Sequence, residues 1–273
     1  MRKPAVSGSF YPSDRKVLLS LIERSFTHKF GPGSLPASPD NIKSDRLKAI
    51  VVPHAGYIYS GPVAAHSYLR LARNGMPDSI IILGVNHYGI GSPVAITLND
   101  FETPLGIAKV DAKLGMELIN GPIVNDDLSH LREHSIEVQI PFLQYIFGDN
   151  LKFVPILIQY TDVYSTGRIS KYIKNVIKNR NIVVIASTDF SHYVPREVAY
   201  RNDKKAIDMI EKLDPDGLED VVKKYDISMC GIGPVLTMLF SVDAKKATLL
   251  KYATSGDMEP MHDVVGYASM EIV

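Results

Sequence analysis

Three histidines stand in one recurring setting in this sequence, and the chemistry of gathered imidazoles is the first that it suggests. Ile50-Val51-Val52-Pro53 delivers His54 into Ala55-Gly56-Tyr57-Ile58-Tyr59-Ser60-Gly61. Ser79-Ile80-Ile81-Ile82-Leu83-Gly84 leads to Val85-Asn86-His87-Tyr88-Gly89, and Ile182-Val183-Val184-Ile185-Ala186 runs into Ser187-Thr188-Asp189-Phe190-Ser191-His192-Tyr193. Each apolar, β-branched run is too short for a helix and reads as a buried strand. A single histidine past a strand end is ordinarily a hydrogen-bonding loop residue. Three of them in the same context point to a shared site, because ligands of open α/β sheets collect where strand carboxyl ends and helix N-termini converge. Imidazole is the usual protein ligand for Zn, Cu, Fe and Ni, and two or three of them with one anionic ligand leave a coordination position open.

The anionic candidates are Cys230 and Asp189. Cys230 precedes Gly231-Ile232-Gly233-Pro234, a helix start whose partial positive charge would favour a thiolate, as ligand or nucleophile; otherwise it is a small buried hydrophobe. Asp189 and His192 lie three residues apart in one loop. They could form an acid/base pair in which Asp189 fixes the His192 tautomer, or Asp189 could cap its own backbone in an Asx-turn. In Glu133-His134-Ser135-Ile136-Glu137 the expected helix puts His134 and Glu137 at i, i+3, able to support the site from outside the ligand set, while Glu133 also suits a helix N-terminus electrostatically.

The elements that must position these groups alternate. Helices are expected at 14 to 27, 61 to 73, 111 to 120, 133 to 147, 196 to 213, 215 to 225 and 233 to 242, with a further one carrying Ile169, Tyr172, Ile173, Val176 and Ile177. Strands are expected at 47 to 52, 79 to 84, 153 to 158 and 182 to 186. A hairpin-like excursion spans 94 to 110, and an irregular loop with Pro32, Gly33, Pro36 and Pro39 runs from Gly31 to Asp45. The chain closes with β segments 247 to 254 and 264 to 272, which are adjacent in sequence and should pair antiparallel across a turn at Ser255-Gly256-Asp257. This order implies an α/β fold: one three-layer α/β/α domain, residues 1–273, with a largely parallel sheet and an antiparallel edge.

Composition bounds the partners. The 273 residues are 45% hydrophobic and 22% charged, with 30 basic side chains against 30 acidic ones, so nothing biases the chain toward nucleic acid or an anionic membrane. One cysteine allows no intramolecular disulfide, and a reducing cytoplasm is the natural compartment. No stretch reaches the roughly 18 apolar residues of a membrane span, and the N-terminus lacks a signal-peptide core. GxSxG, GxxxxGK[ST] and HExxH are absent, and Cys-Gly-Ile-Gly lacks the strand and third glycine of a dinucleotide fingerprint, so no nucleotide cofactor is expected.

Six ordered segments resemble the Memo family, whose animal member mediates ErbB2-driven cell motility. They are Ser7-Gly8-Ser9-Phe10-Tyr11, the Pro53-to-Gly61 loop, Gly84-Val85-Asn86-His87, Glu133-to-Glu137, Ser187-to-Tyr193 and Cys230-Gly231. The resemblance runs from residue 4 to the C-terminus. It implies a fold similar to the class III extradiol dioxygenases, non-haem iron enzymes in which two histidines and a glutamate hold Fe(II) and a further histidine is the acid/base. By motif, His54 and His87 would be the histidine ligands, Cys230 would stand where the glutamate stands, and His192 would be the acid/base residue. Thiolate in place of carboxylate shifts preference toward Cu(I) or Zn without excluding iron. The family also implies phosphotyrosine-peptide binding through the same pocket, metal-dependent redox behaviour and, in microbes, an association with AMMECR-type and radical-SAM proteins.

Three functions follow as expectations. The first is a mononuclear metal site of His54, His87 and Cys230 with His192 and Asp189 beside it, holding copper or iron (zinc being the other candidate) for redox or O2 chemistry on a small substrate. The second is a binding pocket without turnover, using the histidines and Tyr57, Tyr59, Tyr88 and Tyr193 to hold an acidic or aromatic peptide. The third is a Cys230/His192/Asp189 hydrolase.

Overall fold

The computed structural model describes residues 1–37 and 47–273; most of the loop expected at 31 to 45 lies outside the described residues. The elements run α1 (Arg15–Thr27), β1 (Ala49–Val52), α2 (Tyr57–Asn74), β2 (Ser79–Val85), β3 (Val94–Ile96), β4 (Phe101–Thr103), β5 (Gly106–Val110), α3 (Ala112–Leu118), β6 (Val124–Asn125) and α4 (Asp127–His130). They continue with α5 (Ile140–Phe147), β7 (Lys152–Ile158), α6 (Val163–Ile177), β8 (Ile182–Ser187), β9 (His192–Pro195), α7 (Arg196–Glu211), α8 (Pro215–Lys224), α9 (Ile232–Ser241), β10 (Ala247–Thr254), α10 (Ser255–Met258) and β11 (Asp263–Ile272).

The strands form one mixed sheet in the order β10-β11-β1-β8-β2-β7-β3-β6. Its centre, β1-β8-β2-β7, is parallel. Antiparallel pairing occurs on both sides of that centre, β11 on β1 and β3 on β7, where a single antiparallel edge was expected. β4 and β5 form the expected hairpin, and β10 and β11 pair antiparallel as expected.

The central strands read as continuous apolar runs because both faces are covered. Ala49, Val51, Ile81, Leu83, Val184 and Ala186 pack toward the layer of α6 to α9. Their sequence neighbours Ile50, Val52, Ile80, Ile82, Val183 and Ile185 pack with residues of α1, α2 and α5. All are at most 1% exposed, and burying one Val, Leu or Ile side chain contributes about 1.5–3 kcal/mol, so the parallel centre is the stiffest ground available for a site.

Two expected helices are corrected. The helix expected at 61 to 73 begins earlier, at Tyr57, and Pro62 lies inside it rather than opening it. The helix expected at 133 to 147 is only α5, preceded by a 3-10 turn at Glu137–Gln139, and residues 133 to 136 are not helical. Pro141 has no amide to donate to Glu137 and its ring crowds that carbonyl, so it is stable at the first turn of α5 and not in the interior of a longer helix. The turn expected at 255 to 257 is the short helix α10, closed by a capping box between Thr254 and Asp257.

Helix α9 enters directly over the strand ends, and Gly233 permits the approach: a Cβ there would lie 1.9 Å from the Tyr160 carbonyl oxygen. Gly233→Ala must therefore displace backbone. We expect it to cost about 1–3 kcal/mol, read as a lowered urea midpoint with unchanged m-value.

Candidate metal centre

β8 lies between β1 and β2, so the three strands that precede the repeated histidines are direct neighbours with their carboxyl ends side by side. The β1–β8 register pairs Val52 with Ser187, and the Thr188 amide donates to Val52 O at 2.9 Å. Two residues further on, the His54 amide donates to Asp189 Oδ1 at 2.9 Å. The two loops leave the sheet tied together.

His54 is buried and its tautomer is set by a relay. Ser187 Oγ donates its one proton to Ser135 O at 2.6 Å and accepts from Gln139 Nε2 at 2.8 Å. Gln139 is oriented by its second donation, to Pro53 O at 3.0 Å, and by accepting from Tyr68 OH. With the hydroxyl proton spent, the 2.8 Å contact between His54 Nδ1 and Ser187 Oγ requires the proton on Nδ1. The Nε2 lone pair remains, 3.2 Å from Cys230 Sγ.

His87 is fixed by Glu133. Its Nδ1 lies 2.8 Å from Oε1 and its amide donates to Oε2 at 2.8 Å; the His134 and Ser135 amides donate to Oε1 at 2.9 and 2.8 Å. Burial alone would raise the Glu133 carboxyl, but the hydrogen bond and charge of His87 and the Ser135 amide outweigh it and hold it at about 2. An ionised carboxylate behind Nδ1–H leaves the His87 Nε2 lone pair facing outward, the arrangement found behind metal-bound histidines.

His134 completes a trio. Its ring stacks on His87 with centroids 4.7 Å apart, and His54 stands edge-on to both at 5.2 and 5.4 Å. One nitrogen from each of His54, His87 and His134 lies within 4.8 Å of the others. Burial pushes His54 down to about 3, with the charge of His87 adding, and burial then His54 push His134 to about 4. These imidazoles are neutral at physiological pH. Imidazole nitrogens gathered this closely could hold a transition-metal ion.

Cys230 meets this trio at His54. Its sulfur accepts from the Asp189 amide at 3.3 Å, and Gly231 makes the approach possible, since a Cβ there would lie 2.4 Å from Thr188 Cβ. The thiolate expected from the α9 N-terminus is opposed: burial, then the Asp189 charge, push the thiol well above its ordinary range.

The expected Asp189–His192 pair is replaced by two separate arrangements. Asp189 is buried, takes the His54 amide, and is pushed up by that burial. It neither fixes the His192 tautomer nor merely caps its own loop. His192 Nδ1 lies 2.8 Å from the Ser228 carbonyl oxygen, which can only accept, so Nδ1 carries the proton and Nε2 is a free acceptor. The Ser228 hydroxyl also accepts the His192 amide at 2.7 Å. Below this loop, buried Asp203 accepts from the Ser191 amide, the Ser191 hydroxyl and the Tyr252 hydroxyl.

His54, His87, His134, Asp189 and His192 line a cavity of about 340 Å³ whose remaining walls include Phe10, Tyr193 and Val265. Tyr57 is not among them; it is buried in the α1/α2/α5 layer and donates to Val138 O. A larger cavity of about 520 Å³ lies near the amino ends of β1 and β8, between Lys48, Lys178 and the Lys174–Asp243 pair, and contains none of the candidate groups.

Glu137, expected beside the site, instead faces the N-terminal segment. It is fully buried, 2.7 Å from Arg2 Nη1, and accepts from the Ala5 and Val6 amides and the Tyr11 hydroxyl. Arg2 also donates to the carbonyls of His130 and Glu133. The strap so anchored lays Phe10 on His134, ring centroids 4.7 Å apart. Phe10, Ser187 and Glu137 stand inside segments singled out by sequence and carried that signal; Ser228, Asp203 and Arg2 carried none.

Fold and site together define a class: an α/β protein with a mixed sheet and a histidine-lined pocket at its strand ends, able to hold a metal ion. The family description Memo-like protein matches residues 2–271. A MEMO1 family protein of Saccharolobus solfataricus is 49% identical, covering 97% of each chain. Another, of Methanopyrus kandleri, is 45% identical over 98% of each. The chain belongs to the Memo family. In fold it is also similar to the crystal structure of an uncharacterized protein from Escherichia coli K12, with a TM-score of 0.56 at 14% identity over 84% of this chain and 100% of that one. The α/β architecture is the one the resemblance implies. Among the described residues no helix is long and apolar enough to cross a membrane.

Arg2→Met would leave the Glu137 carboxylate buried without its cation. We expect a loss of about 3–5 kcal/mol in urea unfolding, partly recovered by adding Glu137→Gln. Equal stability of the single variant and the parent would mean that the Arg2–Glu137 pair does not hold the strap in place.

Proposed function

We propose that this Memo family protein binds one transition-metal ion, copper or iron, among His54, His87, Cys230 and His134, and uses it for redox or O2 chemistry on a small substrate. The observation that carries the reading is the convergence of three imidazole nitrogens within 4.8 Å, two of the rings, His54 and His87, carrying the proton on Nδ1. His54 and His87 are the shared part of the ligand set; Cys230 and His134 are the two candidates to complete it. A bound copper or iron ion would supply one-electron redox capacity and affinity for dioxygen.

The chain's own residues do the rest. His192 Nε2 faces the cavity as a proton acceptor, with Ser228 holding Nδ1–H, so it can take a proton from a bound hydroxyl or thiol and return it. Phe10, Val265 and Tyr193 give the substrate an apolar seat beside the polar groups. The peptide reading is weaker, because none of the described residues lining the cavity is a lysine or arginine to pair with an acidic ligand. The hydrolase reading is weaker because the Cys230 thiol is held in its protonated form.

Protein prepared anaerobically in reductant should retain close to one equivalent of copper or iron by elemental analysis. His54→Ala and His87→Ala should lose it. Glu133→Gln should weaken it about 10–100-fold, because the carboxylate behind His87 is lost. Cys230→Ser beside His134→Ala identifies the remaining ligand as the one whose loss costs more. Metal at background level in the parent protein would sink the proposal.

A further inference from the structure

Strand β9 pairs antiparallel with β11, and its register breaks at the site. Val264 faces Val194, but the next residue, Val265, faces His192, so Tyr193 is an extra residue opposed by nothing. This is a β-bulge, and Tyr193 adopts φ +55°, the left-handed conformation that a bulge of this kind ordinarily gives to glycine. A tyrosine held there is strained, and such strain persists where the surrounding structure imposes it and where function uses it. The bulge interrupts the two-residue alternation of the strand. As a result His192 and Tyr193, consecutive in sequence, both line the cavity, their rings 6.0 Å apart and edge-on.

Tyr193 has little to hold it in place for folding. It is 79% exposed, belongs to none of the buried apolar clusters, and its hydroxyl has no hydrogen-bond partner among the described residues. Phe10, another wall of the same cavity, is itself anchored on His134. The cavity thus has an anchored aromatic wall, the metal-facing imidazoles at its base, and an unsupported aromatic ring beside the acid/base histidine.

We infer that Tyr193 is a specificity-determining residue: its ring is the solvent-side wall of the pocket and covers the apolar face of a planar ligand whose polar end reaches the histidines. The inference rests on the metal reading above. Tyr193 is not a ligand, so its removal leaves metal affinity alone and removes discrimination between ligands that differ only in an apolar ring.

The test uses Co(II)-loaded protein, titrated with imidazole and with 4-phenylimidazole and followed by the visible cobalt bands. Both probes offer the metal the same nitrogen, and only the second carries a ring for the walls. We expect the parent and Tyr193→Phe to prefer 4-phenylimidazole by about ten-fold, the worth of one good aromatic contact. Tyr193→Asn, which tolerates the left-handed backbone and so keeps the fold, should lose most of that preference while its imidazole affinity and Co(II) affinity stay at parental values. Retention of the full preference in Tyr193→Asn would overturn the inference and leave the metal reading standing. Failure of the parent protein to bind Co(II) would remove the metal reading and this inference with it.

Discussion

Two buried carboxylates four residues apart hold the loop on which the site depends. Glu133 collects the His87 ring and the amides of His87, His134 and Ser135, while Glu137 collects Arg2, two amides of the N-terminal segment and the Tyr11 hydroxyl. A hydrogen bond to a charged group contributes about 1.5–3 kcal/mol, and leaving a buried charge unpaired costs more, so neither side of the loop can be released alone. The segment between them is short and irregular because Glu133 takes the His134 and Ser135 amides for itself while Glu137 is drawn to the N-terminal segment. That is why His134 can lie flat on His87 when a helix would have turned the two rings independently.

The same economy of donors decides protonation. Ser187 has one proton and gives it to Ser135 O; Gln139 has one amide nitrogen and divides it between Pro53 O and Ser187. Each step leaves one arrangement, and the sum is a proton on His54 Nδ1. Ser228 O imposes the same choice on His192, and Glu133 on His87. Three histidines from three loops therefore present the same ring atom to the cavity. Burial keeps His54 and His134 neutral, so the site does not spend its lone pairs on protons at physiological pH.

Much of this was legible in the residues. The apolar runs that precede His54, His87 and His192 announced buried parallel strands, and parallel strands in one sheet bring their carboxyl ends to one edge. Strand order was not legible: that β8 lies between β1 and β2, and so brings all three histidine loops together, is a fact of topology that periodicity does not carry. The helix expected at 133 to 147 failed because Ile136, Ile140, Leu143 and Phe147 do keep helical spacing, while the competing claims of Pro141 and two buried acids act through space. Ser228 was unreadable for a related reason. It holds His192 through a backbone carbonyl, and every residue has one.

The pocket's charge bears on its ligand. His54, His87 and His192 offer lone pairs, Asp189 offers a carboxylate, and no lysine or arginine stands among the described residues that line it. A surface rich in acceptors is poorly satisfied by an anion; water, protons or a cation are the groups that complement it. Protonating His54 would oppose the burial that holds it neutral. A cation held among His54, His87 and His134 would complement these acceptors, and that complementarity is the physical ground of the metal-binding proposal.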